Sequence, residues 1–361
     1  MGKIDTNYCY SFPAVRGQQA GKPFYIATCP LRIIPKIFMY DEEEVPAELR
    51  SQRTLNKSRI PEMARYLLDS PDDYVFSALT ASVGTEVEFK KSQENPNLGT
   101  LSVPMDAQIL INDGQHRRAA IEEAIKENPE LGQDNIAVLF FVDEGLKRSQ
   151  QMFADLNKYA VRPSSSLATL YDHRDQASEI ARYLAMNAKP FIGFTEFERS
   201  SVSVRSNKIF TLSGIKQANR TLFGKGSKEG FNEEEKTKAV AFWNKVNDNM
   251  PEWQQVQNKT LSAPEFRQEF LSAHGIGLQA IANVGHYILK LEENEQNQLL
   301  AKLGKINWLK SNSAWSNRAM QHGRLSKAVS NIFLTAMQIK REVGITPTPE
   351  ELEKENKLLN A

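Results

Sequence analysis

The apolar positions change their period partway along the chain. In the first half they alternate or run together: "KPFYIATCPLRIIPKIF" (22–38), "YVFSALTASV" (74–83), "AQILI" (107–111) and "NIAVLFFV" (135–142). Runs of β-branched and aromatic residues of this length, bounded by turn formers, predict strands. The first is broken at Pro30 and Pro35, because proline cannot donate to a ladder. "TEVEFKKS" (85–92) predicts a hairpin partner for the strand before it, and "SQENPNLGT" (92–100) a loop. Two stretches carry the helical period instead. In "SRIPEMARYLLDSPDDYV" (58–75), Ile60, Met63, Ala64, Leu67 and Leu68 form one stripe, with Pro61 in the first turn. In "QHRRAAIEEAIKEN" (115–128) the stripe is Ala120, Ile121, Ala124 and Ile125. With the strands on either side, the second helix predicts a βαβ unit, right-handed if parallel.

Beyond about residue 175 the strand patterns fade. "LKRSQQMFADLNKYAVRPSSSLATLYDHRD" (146–175) reads as helix, turn and helix. "FTLSGIKQANRTLFG" (210–224) predicts a short helix with Ser213 as its cap. "SAPEFRQEFLSAHGIGLQAIANVGHYILKLEE" (262–293) and "SKAVSNIFLTAMQIKRE" (326–342) are long helical patterns. The expectation is an α/β (α+β) domain over 1–175 and a mostly α-helical domain over 176–361. A chain of 361 residues is long enough for two cores. Trp243, Trp253, Trp308 and Trp315 are expected in the helical core, and Gly277 and Gly285 at close helix contacts.

Composition narrows the class. At 40% hydrophobic and 25% charged the chain is of the soluble globular type. No apolar run approaches the roughly 18 residues of a membrane helix, and the start lacks a signal-peptide core. Cys9 and Cys29 do not make a disulfide framework, so a reducing cytoplasm is expected. Cys29 reads either as a small buried residue or as a functional thiol, with only Arg32 near it to lower its pKa.

The net charge of +1 says little, but its distribution says more. From Arg199 to Lys228 there are seven Lys/Arg and no acid; from Ala301 to Arg341 there are eight and again none. Such segregation predicts a basic surface fit for double-stranded DNA. In the first segment Lys208, Lys216, Gln217, Asn219 and Arg220 are the residue types that grip phosphate or read base edges, with Lys216, Asn219 and Arg220 sharing a helical face. In the second the candidates are Arg318, Arg324 and Lys327. The competing readings are a polar connector and a surface turn, with the basic faces balanced by acids in space.

One row is poor core material. "LINDGQHRRAAIEEA" (110–124) sets Asp113, Gly114, Gln115, His116, Arg117 and Arg118 between an apolar strand and a helix. A glycine turn, the unpaired N–H groups of a helix start and two guanidinium forks make an anion site. Asp113 would serve there as a cap, as a Mg²⁺ ligand, or as a carboxylate holding His116 or an arginine. The alternative is a capped helix with an exposed basic turn. No metal centre is expected: none of His116, His173, His274, His286 and His322 stands four residues from another. There is no P-loop or Rossmann fingerprint.

The row Asp113-Gly114-Gln115-His116-Arg117 resembles the motif of the DGQHR-domain family, which is similar to the ParB/sulfiredoxin-like fold. "QRTLNKSRIPEMARYL" (52–67) resembles that family's first helix. "MFADLNKYAVRPSSSL" (152–167), with Asn157 and Arg162, resembles its second block. Together with "PAVRGQQAGKPFYIATCPL" (13–31) and the helical second half, the chain resembles the DndB family of DNA phosphorothioation regulators. That resemblance implies a cytoplasmic bacterial protein that binds promoter DNA and represses the modification genes. The ParB/sulfiredoxin-like fold, in which a comparable turn binds nucleotide phosphates, leaves open ATP or another NTP, with Mg²⁺, at Asp113 to Arg118 and Asn157, and the family leaves open other phosphorothioation proteins as partners. A homodimer would match palindromic half-sites. Related domains in phage defence are NTPases, which leaves open an enzyme with Asp113, His116 and Arg117 as catalytic residues.

Overall fold

The computed structural model describes residues 8–38, 57–142, 152, 155–156, 163–227, 229–326 and 328–360. The chain divides into two compact units, Met1–Val161 and Arg162–Ala361.

The first unit is built on a mixed sheet of seven strands: β1 (Cys9–Gln19), β2 (Lys22–Pro30), β3 (Leu79–Val83), β4 (Glu88–Lys91), β5 (Leu98–Pro104), β6 (Ile109–Asp113) and β7 (Asn135–Val142). Their order is β4-β5-β1-β2-β7-β3-β6. β3 and β7 pair parallel; every other neighbouring pair is antiparallel. β1 and β2 close on the two residues Ala20 and Gly21, both at positive φ (51° and 75°), the backbone a tight hairpin needs. Helices α1 (Ile60–Asp69) and α2 (Gln115–Glu127) pack together, burying Ala64 and Leu67 of one and Ala120, Ile121 and Ala124 of the other.

Three expectations change here. The segment 85–92 does pair, but with β5 rather than with the strand before it, and β5 takes Leu98 to Thr100 out of the expected loop. The βαβ unit β6–α2–β7 forms, but its two strands run antiparallel and are not neighbours. β3 lies between β6 and β7, antiparallel to one and parallel to the other. All five residues of β3 are buried, so this interior place suits it better than any edge. After Pro30 the chain makes a 3₁₀ turn (Leu31–Ile33) and a helical turn (Ile34–Ile37), not a second strand. Pro35 sits in the first turn of that helix, where its missing N–H costs nothing.

The second unit contains α3 (Ser165–Tyr171), α4 (Gln176–Asn187), α5 (Leu212–Leu222), α6 (Glu233–Asp248), α7 (Pro251–Gln257), α8 (Ala263–Glu269), α9 (Gly275–Ile288), α10 (Glu293–Ala301), α11 (Val329–Val343) and α12 (Pro349–Leu359). Its centre is α9, packed against α5 and α11. Gly285 permits the close approach to α5 and α6, since a Cβ there would stand 2.4 Å from Phe242 Cζ and 2.7 Å from Leu222 Cδ1. The long pattern 262–293 is broken into α8, a 3₁₀ turn (Leu271–Ala273) and α9. The cap of α5 is Thr211, whose hydroxyl accepts from the Gly214 N–H, and not Ser213. All four tryptophans are buried, and Trp308 and Trp315 stack at 5.5 Å. Among the described residues no helix is long and apolar enough to cross a membrane.

Candidate functional site

The polar row of the first unit lies where β6 hands over to α2. Gly114 is the N-cap of α2 at φ 107°. A Cβ at that position would lie 2.4 Å from Leu79 Cδ2, so both backbone and space demand glycine. Asp113 accepts a hydrogen bond from Arg117 Nη2 at 2.7 Å, one helical turn away. The same nitrogen donates to the Ala78 carbonyl at 3.1 Å. Arg117 Nε is buried and has no acceptor among the described residues. Gln115 donates to the Ile111 carbonyl at 2.7 Å.

Arg118 is differently employed. Its Nε donates to the Phe38 carbonyl at 2.9 Å and its Nη2 to the Pro35 carbonyl at 3.2 Å, while Nη1 meets Glu122 at 2.5 Å. It therefore fastens the helical turn before Phe38 to α2. His116 stands half-buried in the first turn of α2. The row is thus brought together as expected around a helix start, with its two arginines already holding backbone and carboxylates. Asn157 lies outside the described residues. Among the described residues no three His, Cys, Asp or Glu gather as a metal site.

Cys29 is fully buried on β2, and burial pushes its thiol up to about 12. Such a group is a thiol, not a thiolate, at neutral pH.

In the second unit the acid-free segments meet acids from elsewhere in the chain. Asp175 caps α4 and receives Lys216 at 2.5 Å and Arg220 at 3.2 Å. Glu235 receives Lys225 at 2.7 Å, and Glu351 receives Lys340. Glu355 receives both Arg318, at 2.6 Å, and Arg341. Burial works against the charge of Asp175 and Glu351, but their lysine partners outweigh it and hold both carboxyls below the usual range.

The helical face expected to meet DNA turns inward. Asn219 is 1% exposed: it accepts from Trp243 Nε1 at 3.2 Å and donates to the Ile215 carbonyl at 2.8 Å. Its polar type reports a core hydrogen bond rather than a base contact. Lys208 Nζ donates to the Gly193 carbonyl at 2.8 Å. Gln217 and Arg324 are exposed, and Lys327 lies outside the described residues.

Two concavities in this unit gave no signal in the sequence. A groove of about 740 Å³ is walled by the loop 200–204 and the starts of α5 and α9. Arg267, 9% exposed, fastens that loop by donating to the carbonyls of Ser203, Val204, Ser206 and Lys208. A second, of about 440 Å³, lies between α5, α9 and the segment joining α11 to α12. Gln217 lines both.

Neither the curated proteins nor the solved structures compared with this chain gave a match. One family profile did, over residues 12–346, a span that takes in the sheet, the polar row and the helical unit through α11. The chain belongs to that family, DndB, described as DNA-sulfur modification-associated.

Proposed function

We propose that this protein is a DNA-binding regulator, a repressor of the genes for DNA sulfur modification. The observation that carries the reading is the family match across both units. The helical unit is the DNA-contacting part in this reading. Arg199, Arg205, Gln217 and Arg324 are exposed, and their sequence neighbours Ser200, Val204 and Leu325 line the larger groove with Gln217. Lys216, Asn219 and Arg318 are assigned to holding the unit together. The first unit is read as ParB/sulfiredoxin-like. The test is a titration of the protein with its own upstream duplex and a scrambled duplex across a salt series. The expected result is tighter binding to the upstream duplex, with affinity falling steeply with salt, because bulk salt lowers the entropic gain of releasing the DNA's counterions. Equal, weak binding to both duplexes overturns the reading.

A second reading concerns the polar row, and the buried Arg117 Nε favours it. A buried donor without an acceptor costs about 1–3 kcal/mol, and a nucleotide phosphate at the start of α2 would supply the missing oxygen. Asp113, Gly114, His116 and Arg117 would hold such a group; Mg²⁺ would shield its charge from Asp113. In this reading nucleotide modulates DNA binding. Phosphate release from ATP, lost in Arg117→Ala, would instead make the row catalytic.

A further inference from the structure

The smaller of the two concavities of the helical unit is lined mainly by cations among its charged residues. Of its described lining, Arg220, Lys225, Lys290 and Lys340 are cations and only Glu351 is an acid. These cations come from α5, from the turn after it, from just beyond α9, and from α11. Arg220 and Lys225 share one turn, and the packing of α9 against α5 and α11 brings Lys290 and Lys340 to them.

Three of the four are held in place before any ligand arrives. Arg220, 8% exposed, is fixed by Asp175 and by the Gly226 carbonyl. Lys225 is fixed by Glu235 and lies over the Phe231 ring at 4.7 Å. Lys340, 5% exposed, is fixed by Glu351 and stands 5.7 Å from the Tyr287 ring. Asp175 and Glu235 do not line the hollow. They hold their cations from outside it, while the lining keeps a positive excess. Lys290 is exposed and has no carboxylate partner among the described ion pairs.

The α9 face that borders the hollow breaks the pattern of its helix. Nine residues of α9 are buried. Yet Asn283, His286 and Tyr287, the last two three and four residues from the first, form a polar stripe facing the hollow, and Lys290 continues it just past the helix end. His286 is oriented by the bond between its Nδ1 and the Leu222 carbonyl, at 3.0 Å. Amide donors, an aromatic wall 41% exposed at Tyr287, the positive charge of a held arginine and lysine point charges are the recognition chemistry of a phosphate ester. A volume of about 440 Å³ exceeds what a bare phosphate ion fills and suits a phosphate with its sugar.

We propose that this hollow binds the phosphoryl group of a nucleotide, carried either by a DNA strand or by a free mononucleotide. The DNA source deepens the regulator reading and rests on it; the mononucleotide source does not. The test uses the full chain as wild type, Lys290→Glu and Lys238→Glu, the last a control on α6 that does not line the hollow. Each is titrated with the upstream duplex across a salt series, with ADP, and with adenosine, which lacks the phosphate. Lys290 is exposed, so Lys290→Glu keeps the wild-type melting temperature. The expected result is a loss of about tenfold or more for one phosphate ligand in Lys290→Glu, with Lys238→Glu within about twofold of wild type and adenosine unbound. Loss of duplex affinity with a salt slope lower by about 1 assigns the DNA source. Loss of ADP affinity alone assigns the mononucleotide source, and does so even if the duplex never binds and the regulator reading falls. Wild-type duplex and ADP binding in Lys290→Glu overturns the proposal and leaves the regulator reading standing. Failure of the wild type to bind either ligand overturns both.

Discussion

Arg318 reaches Glu355 at 2.6 Å across 37 residues of chain, and Glu355 is 3% exposed. Arg341 closes on the same carboxylate from α11. One buried acid on α12 thus holds a cation from each side. Arg341 and Arg318 together hold the Glu355 carboxyl below its ordinary range. A folded pKa below the unfolded value gives stability that is present above about pH 4.3 and is lost as pH falls through the folded value. Glu355→Gln leaves two guanidinium groups without their counter-charge. We expect a loss of about 2–4 kcal/mol at pH 7, at the lower side of buried pairs because Arg341 is 38% exposed. Urea melts of the two proteins should converge as the pH is lowered below about 4. A constant difference down to pH 2 would mean the pair is not what holds α12.

Gly114→Ala tests the turn that presents the polar row. The new Cβ would meet Leu79 Cδ2 at 2.4 Å, and the backbone would stay at φ 107°. Strain of about 1–3 kcal/mol is expected from the backbone alone, with overpacking added. Thermal melting should drop by several degrees. Gly21→Ala is the comparison, since Gly21 shares a positive φ of 75° but has open space around it, and its loss should be smaller.

The sequence showed the period of the elements better than their partners. β2 and β7 were legible because buried positions alternate along them, β6 as a short apolar run, and α1 and α2 because each carries an apolar stripe at helical spacing. β1 was not, because "CYSFPAVRGQQ" buries only Phe12 and Ala14 and closes on an alanine at positive φ. Strand order was out of reach: what places β3 between β6 and β7 is long-range pairing, and no local pattern encodes it. In the candidate sites the row 113–118 announced itself by composition, whereas the charge runs did not show which of their cations are paired. Arg220 and Arg318 read as free cations because Asp175 and Glu355 lie 45 and 37 residues away. Asn219 misled for another reason, since a core tryptophan N–H needs an acceptor, and a buried amide supplies it.

Asp175 gives a prediction with opposite effects on stability and binding. Its carboxylate caps α4 through the Ser178 N–H at 3.0 Å and restrains Lys216 and Arg220. Asp175→Asn keeps an N-cap but loses the charge. We expect a loss of about 1–2 kcal/mol at pH 7 that shrinks as pH falls below about 4, where the wild-type carboxyl also loses its charge. The same change raises the local positive charge by one. Binding to a scrambled duplex at low salt should therefore tighten by a few fold while the protein becomes less stable. Parallel loss of both would show that Arg220 must be held by Asp175 to meet phosphate.

Cys29 separates a reactive thiol from a packing residue. It is 0% exposed on β2, opposite Ile136 of β7, with a thiol pushed up to about 12. At pH 8 the thiolate fraction is then about one in ten thousand, and no reagent reaches it without opening the sheet. A native thiol titration should therefore count Cys9 alone, and Cys29 should appear only with denaturant, at the rate of unfolding. Cys29→Ser buries a hydroxyl where a small apolar group sat, at a cost of about 1–3 kcal/mol. Cys29→Ala removes only the sulfur and should cost less. If Cys29 acts through packing, duplex binding will follow stability: impaired in Cys29→Ser near its melting range, close to wild type in Cys29→Ala at low temperature. If both variants lose binding equally while fully folded, sulfur chemistry is at work, and the sheet must open to expose it.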